Sequence, residues 1–135
     1  MVQRSVLDAH PQADLAVAVG WLPVLPAHDE RAAQEAAHLV ADPRVRHCYD
    51  GERRAGRAIA GSLGTDGAAG QIAWDMYLFY DRHARWHTAG AATSPCPLDW
   101  LHQLRSRAWA DPRRSCWGAA LASALREAAD RLLLP

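Results

Sequence analysis

The sequence predicts an α/β fold, a mixed sheet flanked by helices. Two long apolar ribbons, 15–22 and 71–81, are separated by segments whose small and apolar residues recur at helical spacing. The second ribbon is followed at once by a short partner segment, and a long amphipathic stretch ends the chain. One strand pair is therefore antiparallel, and the others are joined through helices. At 135 residues, half of them hydrophobic and 22% charged, the chain suits one domain with one core, taken as residues 1–135.

Residues 2–9 read as a short helix, with Val2 and Val6 four apart and Pro11 closing the segment. Residues 15–22 read as a central strand. Leu15, Val17 and Val19 face one way, Ala16 and Ala18 the other, and Pro23 and Pro26 end the ladder. A helix follows over 28–42, with Asp29 as N-cap, Glu30 in the first turn, and Ala33, Ala36, Ala37 and Val40 on one face. Residues 44–50 form a short strand and Asp50-Gly51 a turn. Residues 52–64 form a helix with Ala55, Ile59 and Leu63 inward and Gly64 as its stop. After a flexible connection at 65–70, the ribbon 71–81 is the second long strand and 82–87 its hairpin partner. Residues 88–97 are a loop by composition and 98–108 a short helical piece. The last helix spans 112–133, its inward stripe made by Trp117, Leu121, Leu125, Ala128 and Leu132.

Composition removes several function classes. Fifteen basic residues, all arginine, balance fifteen carboxylates. Without a positive excess there is no footprint for nucleic acid, and without lysine there is neither a Schiff base nor a P-loop. The longest apolar stretch, Leu15 to Ala27, is broken by Gly20, Pro23 and Pro26 and is too short to span a bilayer. The first residues lack the apolar core of a signal peptide. The expected setting is cytoplasmic, with no membrane partner. Cys48, Cys96 and Cys116 are then reduced thiols rather than a disulfide framework.

Residues 16–37, 45–64 and 72–86, with the last helix, resemble the thioredoxin-like superfamily in order and pattern, especially its peroxiredoxin and cytochrome-maturation branches. The resemblance implies a strand leading to a helix, an edge strand and short helix, an antiparallel hairpin, and a final helix. It also implies a redox dithiol, CxxC, opening the first helix of the core, and a cis-proline before the second long strand. This chain has no CxxC and reads Ala73-Trp74 at the proline position. The first strand implied by the resemblance is missing too, because the chain opens inside what should be the first helix. That strand would stand between 15–22 and 72–80, and its loss leaves main-chain groups without partners. Three resolutions stand open: direct pairing of the two long strands, a strand supplied by a second copy, or a natural start upstream of Met1.

The candidate site residues follow. Cys96, between two prolines, is the thiol expected to be exposed and to react, with nothing beside it to activate it; Cys48 is the weaker candidate, since a small buried thiol explains it better. Asp75 stands inside an aromatic run near the strand start, where it reaches water or an arginine, or marks the mouth of a former redox site beside Trp74. Trp86, Trp100 and Trp109 form either a binding face or a lid over the sheet. His83 and His87 do not have metal spacing on a hairpin, so no metal and no cofactor is expected. The expected function is that of a relative of thiol-disulfide oxidoreductases with no dithiol of its own, inactive or truncated. Its alternative is a non-catalytic module that forms a homodimer or docks a protein partner through the open sheet edge and the Trp-rich region.

Overall fold

Valine alternates with alanine and glycine in the first ribbon, and Val17–Trp21 forms strand β1. It pairs in parallel with β2, Val45–Tyr49, from Val17 opposite Val45 to Trp21 opposite Tyr49. In this computed structural model, which describes residues 1–63, 70–87, 93–104 and 109–134, the chain is mixed α/β. Among the described residues it holds two small two-stranded sheets in place of one mixed sheet. It divides into two compact units, Met1–Arg53 and Arg54–Pro135.

In the first unit, helix α1 (Glu30–Ala36) crosses between β1 and β2. The Asp29 carboxylate caps it by accepting from the Ala32 N–H at 2.8 Å, as its position predicts. The α-helix stops at Ala36 and tightens into a 3₁₀ turn over Ala37–Val40, so only Ala33 of the expected apolar face is buried. The Val17 N–H donates to the Arg44 carbonyl at 3.0 Å, and the Asp50 N–H to the Trp21 carbonyl at 2.9 Å. This pattern turns the main chain of Val17, Val19 and Trp21 toward β2 and leaves that of Ala18 and Gly20 on the outer edge. Val17, Val19 and Trp21 are half-buried, whereas Ala16, Ala18 and Gly20 are exposed. The expected central strand, covered on both faces, is thus covered on one. Alanine and glycine bring too little apolar area to require a second layer.

Arg44 organises the start of this unit. Its Nη1 donates to the His10 carbonyl at 2.7 Å and its Nη2 to the Leu7 carbonyl at 3.1 Å. These carbonyls lie at and just after the end of the helical turn Gln3–Leu7, and each also accepts a main-chain N–H, that of Leu7 from His10 at 3.3 Å and that of His10 from Ala13 at 3.2 Å. That turn is wide: the Asp8 N–H reaches back to the Gln3 carbonyl at 2.8 Å, and it buries Leu7 completely. Arg44 also clasps Asp42 through Nε and Nη2, at 2.9 and 2.8 Å. The Arg44 guanidinium, aided by the Arg44 N–H, lowers the Asp42 carboxyl from 3.8 to about 2. Because the folded value is the lower one, the clasp stabilises the unit above pH 3.8 and is lost as pH falls toward about 2. Urea midpoints of the wild type and Asp42→Asn should differ by a constant amount at higher pH and converge across that window.

In the second unit, helix α2 (Arg54–Ser62) buries Gly56 and Ala60, with Ile59 and Leu63 packed beside them. The expected stop at Gly64 lies outside the described residues. Strand β3 (Met76–Phe79) pairs antiparallel with β4 (Asp99–His102), from Met76 opposite His102 to Phe79 opposite Asp99. This corrects two expectations. Residues 82–87 are an exposed turn and coil rather than the hairpin partner, and 99–102, expected as helical, are the partner strand. Asp81 bends the chain away at the end of β3, whereas Trp100 and Leu101 pack well on a pleated surface opposite Tyr77 and Leu78. Ala60, Ala73, Leu104, Trp109 and Ala110 form the core cluster, with Trp74 and Met76 against it.

The last helix begins later than expected. A 3₁₀ turn at Pro112–Arg114 is capped by Asp111, residues 115–117 run extended, and helix α3 spans Gly118–Leu133. Ser115 bridges to His102 in parallel, and the Cys116 N–H donates to the His102 carbonyl at 3.0 Å. Those bonds continue the β4 edge and pull 115–116 out of the helix. Gly118, at φ 54°, makes the turn into α3, a conformation glycine adopts without strain. Trp117 is therefore exposed, and α3 buries Leu121, Leu125, Ala128 and Ala129.

Candidate functional site

The chain leaving β3 forms an exposed loop, Asp81 to His87. The Asp81 carboxylate accepts from the His83 N–H at 2.7 Å, which closes the turn that starts it. Arg85 Nη1 donates to the Arg82 and Ala84 carbonyls at 2.8 and 2.9 Å. Two ties to the returning chain hold the loop at its ends. Tyr80 Oη and Ser94 Oγ share a hydrogen bond of 3.1 Å, and His87 and Thr93 exchange main-chain bonds of 3.3 and 3.0 Å. Burial pushes the Tyr80 phenol above its ordinary range, against the Ser94 bond and with a further push from Cys96. It stays neutral near pH 7.

Between this loop and the returning chain lies an open pocket of about 240 Å³, lined by Asp81, His83, Ala84, Pro95, Cys96 and Leu98. Leu98 is 64% exposed, and the Cys96 thiol stands on the wall. Outward from the pocket, Arg82, His83, Arg85, Trp86 and His87 are all exposed. The loop thus joins cationic and imidazole side chains, one indole and a pocket of mixed polar and apolar lining on a single surface.

A second cluster is closed. Asp99 accepts from Arg114 Nη1 and Arg131 Nη2, each at 2.6 Å, and from the Trp100 N–H at 2.8 Å. Burial raises the Asp99 carboxyl, but those three bonds outweigh it and hold the group below the usual carboxylate range. Arg114 lies 5.0 Å over the Trp100 ring, and Trp100 stacks on His102 at 5.8 Å. These bonds clamp β4 to Arg114 and to α3.

The sequence-named residues therefore separate. Cys96 and Trp86 belong to the loop-and-pocket surface. Trp74 is half-buried against the second unit's core, and Asp75 is exposed just before β3 with φ 50°, its carbonyl accepting from the Gln103 N–H at 2.9 Å. Trp100 lies under Arg114 and Trp109 is in the core, so the expected common face of Trp86, Trp100 and Trp109 does not form. Cys48, expected as a buried thiol, is exposed on the face opposite the Trp21–His47 stack, its Sγ 3.6 Å from the Val19 carbonyl. Arg82, Arg85 and Leu98 were not marked by any motif; the signal for the two arginines is the charge run around Trp86, and Leu98 has none.

Charge divides the molecule as geometry does. The first unit carries five arginines against eight carboxylates, a net −3, and the second carries ten against seven, a net +3. Among the described residues no group of histidine, cysteine and carboxylate side chains is arranged to hold a metal, and no helix is long and apolar enough to cross a membrane. The chain matches no protein-family model, no curated protein and no solved structure.

Proposed function

We propose that this chain is a thioredoxin-like module, related to thiol-disulfide oxidoreductases, that works by binding a protein partner and not by disulfide exchange. A parallel β1–α1–β2 unit, followed by an antiparallel pair and a final helix, follows the element order that the resemblance implies. The observation that carries the reading is that the three cysteines stand on separate elements and form no CxxC. Cys48, Cys96 and Cys116 are all free. Cys48 stands on β2, Cys96 on the pocket wall, and Cys116 on the extended segment beside β4. A dithiol cycle needs two sulfurs whose Cα atoms stand within about 7 Å of one another on a suitable line, and the sequence supplies no CxxC to arrange that.

A single-thiol enzyme working through Cys96 is the second reading, favoured only by that thiol's exposure in the pocket. Insulin reduction by dithiothreitol separates the two. The protein should leave the rate at that of dithiothreitol alone, and the Cys96→Ser variant should behave identically. Turnover above that background which disappears in Cys96→Ser would overturn the binding reading and establish an enzyme.

A further inference from the structure

We propose that the loop Arg82–His87, with the pocket behind it, is the docking surface of this module and takes an acidic peptide segment bearing an apolar anchor side chain. The inference rests on the binding reading above and specifies its partner. Charge complementarity is the first argument. Arg82, His83, Arg85 and His87 project into solvent within six residues, and the one acid among them, Asp81, is engaged by the His83 N–H. The unit that carries the loop has a net +3, so its long-range field draws an anionic segment toward it, whereas the net −3 of the other unit repels one.

The pocket supplies the second argument. Its volume, about 240 Å³, suits one leucine-sized side chain, with Leu98 and Ala84 as apolar wall and Pro95 as a rigid one. Trp86, 43% exposed, is the residue type that anchors protein interfaces, offering a broad apolar face and an indole N–H from a side chain with two rotatable bonds. The loop is also held in place before any partner arrives. The Tyr80–Ser94 bond and the His87–Thr93 pair fix its two ends, which reduces the ordering cost of binding. Nucleic acid is a poorer occupant, since the loop's two arginines would neutralise few phosphates.

The probe is a fluorescein-labelled synthetic peptide alternating glutamate with leucine, titrated with the full chain and followed by fluorescence anisotropy. Binding should weaken as salt is added. It should weaken about tenfold in Arg82→Ala/Arg85→Ala and in Trp86→Ala, because interface arginine and tryptophan side chains dominate such contacts. Arg126→Ala, an exposed change on α3, should leave it unaltered. These substitutions lie on the surface, and circular dichroism checks that each variant keeps its fold. Equal affinity for the same peptide with glutamine in place of glutamate would overturn the proposal. So would equal affinity of the loop variants and wild type, or tighter binding of oligothymidylate of matched charge. A salt-sensitive dimer by solution mass, abolished by Arg82→Ala/Arg85→Ala, would reassign the surface to a second copy of the chain. Insulin turnover would defeat the binding reading whatever the peptide does; absence of both turnover and peptide binding would defeat only this surface.

Discussion

Leu121→Ala is expected to lower the stability of the unit Arg54–Pro135 by about 2–5 kcal/mol, the range for deleting a fully buried leucine. Leu121 is wholly inaccessible, and Leu125, one turn later, is 1% exposed. The substitution removes three buried carbon atoms, and in a close-packed interior the space they leave closes only in part. A domain of this size holds about 5–15 kcal/mol in all, so the loss removes a large share of its margin. Trp117 provides the internal control. At helical spacing it belongs to the same stripe as Leu121, but it is 42% exposed, and Trp117→Ala should cost about 1 kcal/mol or less. Urea denaturation followed by far-ultraviolet circular dichroism measures both. Equal losses would mean that α3 continues through Trp117 with its stripe inward, contrary to the extended chain at 115–117.

That contrast also marks where sequence reading succeeds and fails here. β1, β2, α1 and α2 are legible because their signals are local: alternating valines, an Asp29 cap, Asp50-Gly51, and apolar residues at helical spacing. β4 is not legible. Leu98 and Leu101 stand three apart, as on a helix, and only the distant Met76–Phe79 strand decides otherwise. The break before α3 is likewise decided by non-local bonds, from Ser115 and Cys116 to His102, with Gly118 as its single local sign. Both long ribbons were read as layers of one sheet, whereas each pairs within its own unit. Of the candidate site, Cys96 was legible as an exposed thiol because its two flanking prolines keep it out of regular structure. Trp86 was legible only as one of three tryptophans. Periodicity could not reveal that Trp109 enters the core, that Arg114 covers Trp100, or that the charge run at 82–87 turns outward as a loop.

His102→Ala should be the most damaging polar substitution, at about 2–4 kcal/mol, because it leaves two main-chain groups without their partner. The ring is 2% exposed. Its Nδ1 accepts from the Leu104 N–H at 3.1 Å, so the hydrogen resides on Nε2, which donates to the Asp111 carbonyl at 2.8 Å. One imidazole thus joins the chain leaving β4 to the chain approaching α3, while its own carbonyl receives the Cys116 N–H. Neither amide variant should restore both bonds. In His102→Asn the side-chain oxygen stands near the Nδ1 position and should keep the Leu104 bond, losing the one to Asp111. In His102→Gln the longer amide should reach Asp111 and abandon Leu104. Amide hydrogen exchange reads this directly: Leu104 should stay protected in Asn and exchange fast in Gln and Ala. His38→Ala, at an exposed histidine on the 3₁₀ turn, supplies the comparison. If His102→Ala cost no more than His38→Ala, the buried ring would be filling space rather than joining two segments. The placement of β4 against residues 111–116 would then have to be redrawn, because no other side chain bonds both Leu104 and Asp111 among the described residues.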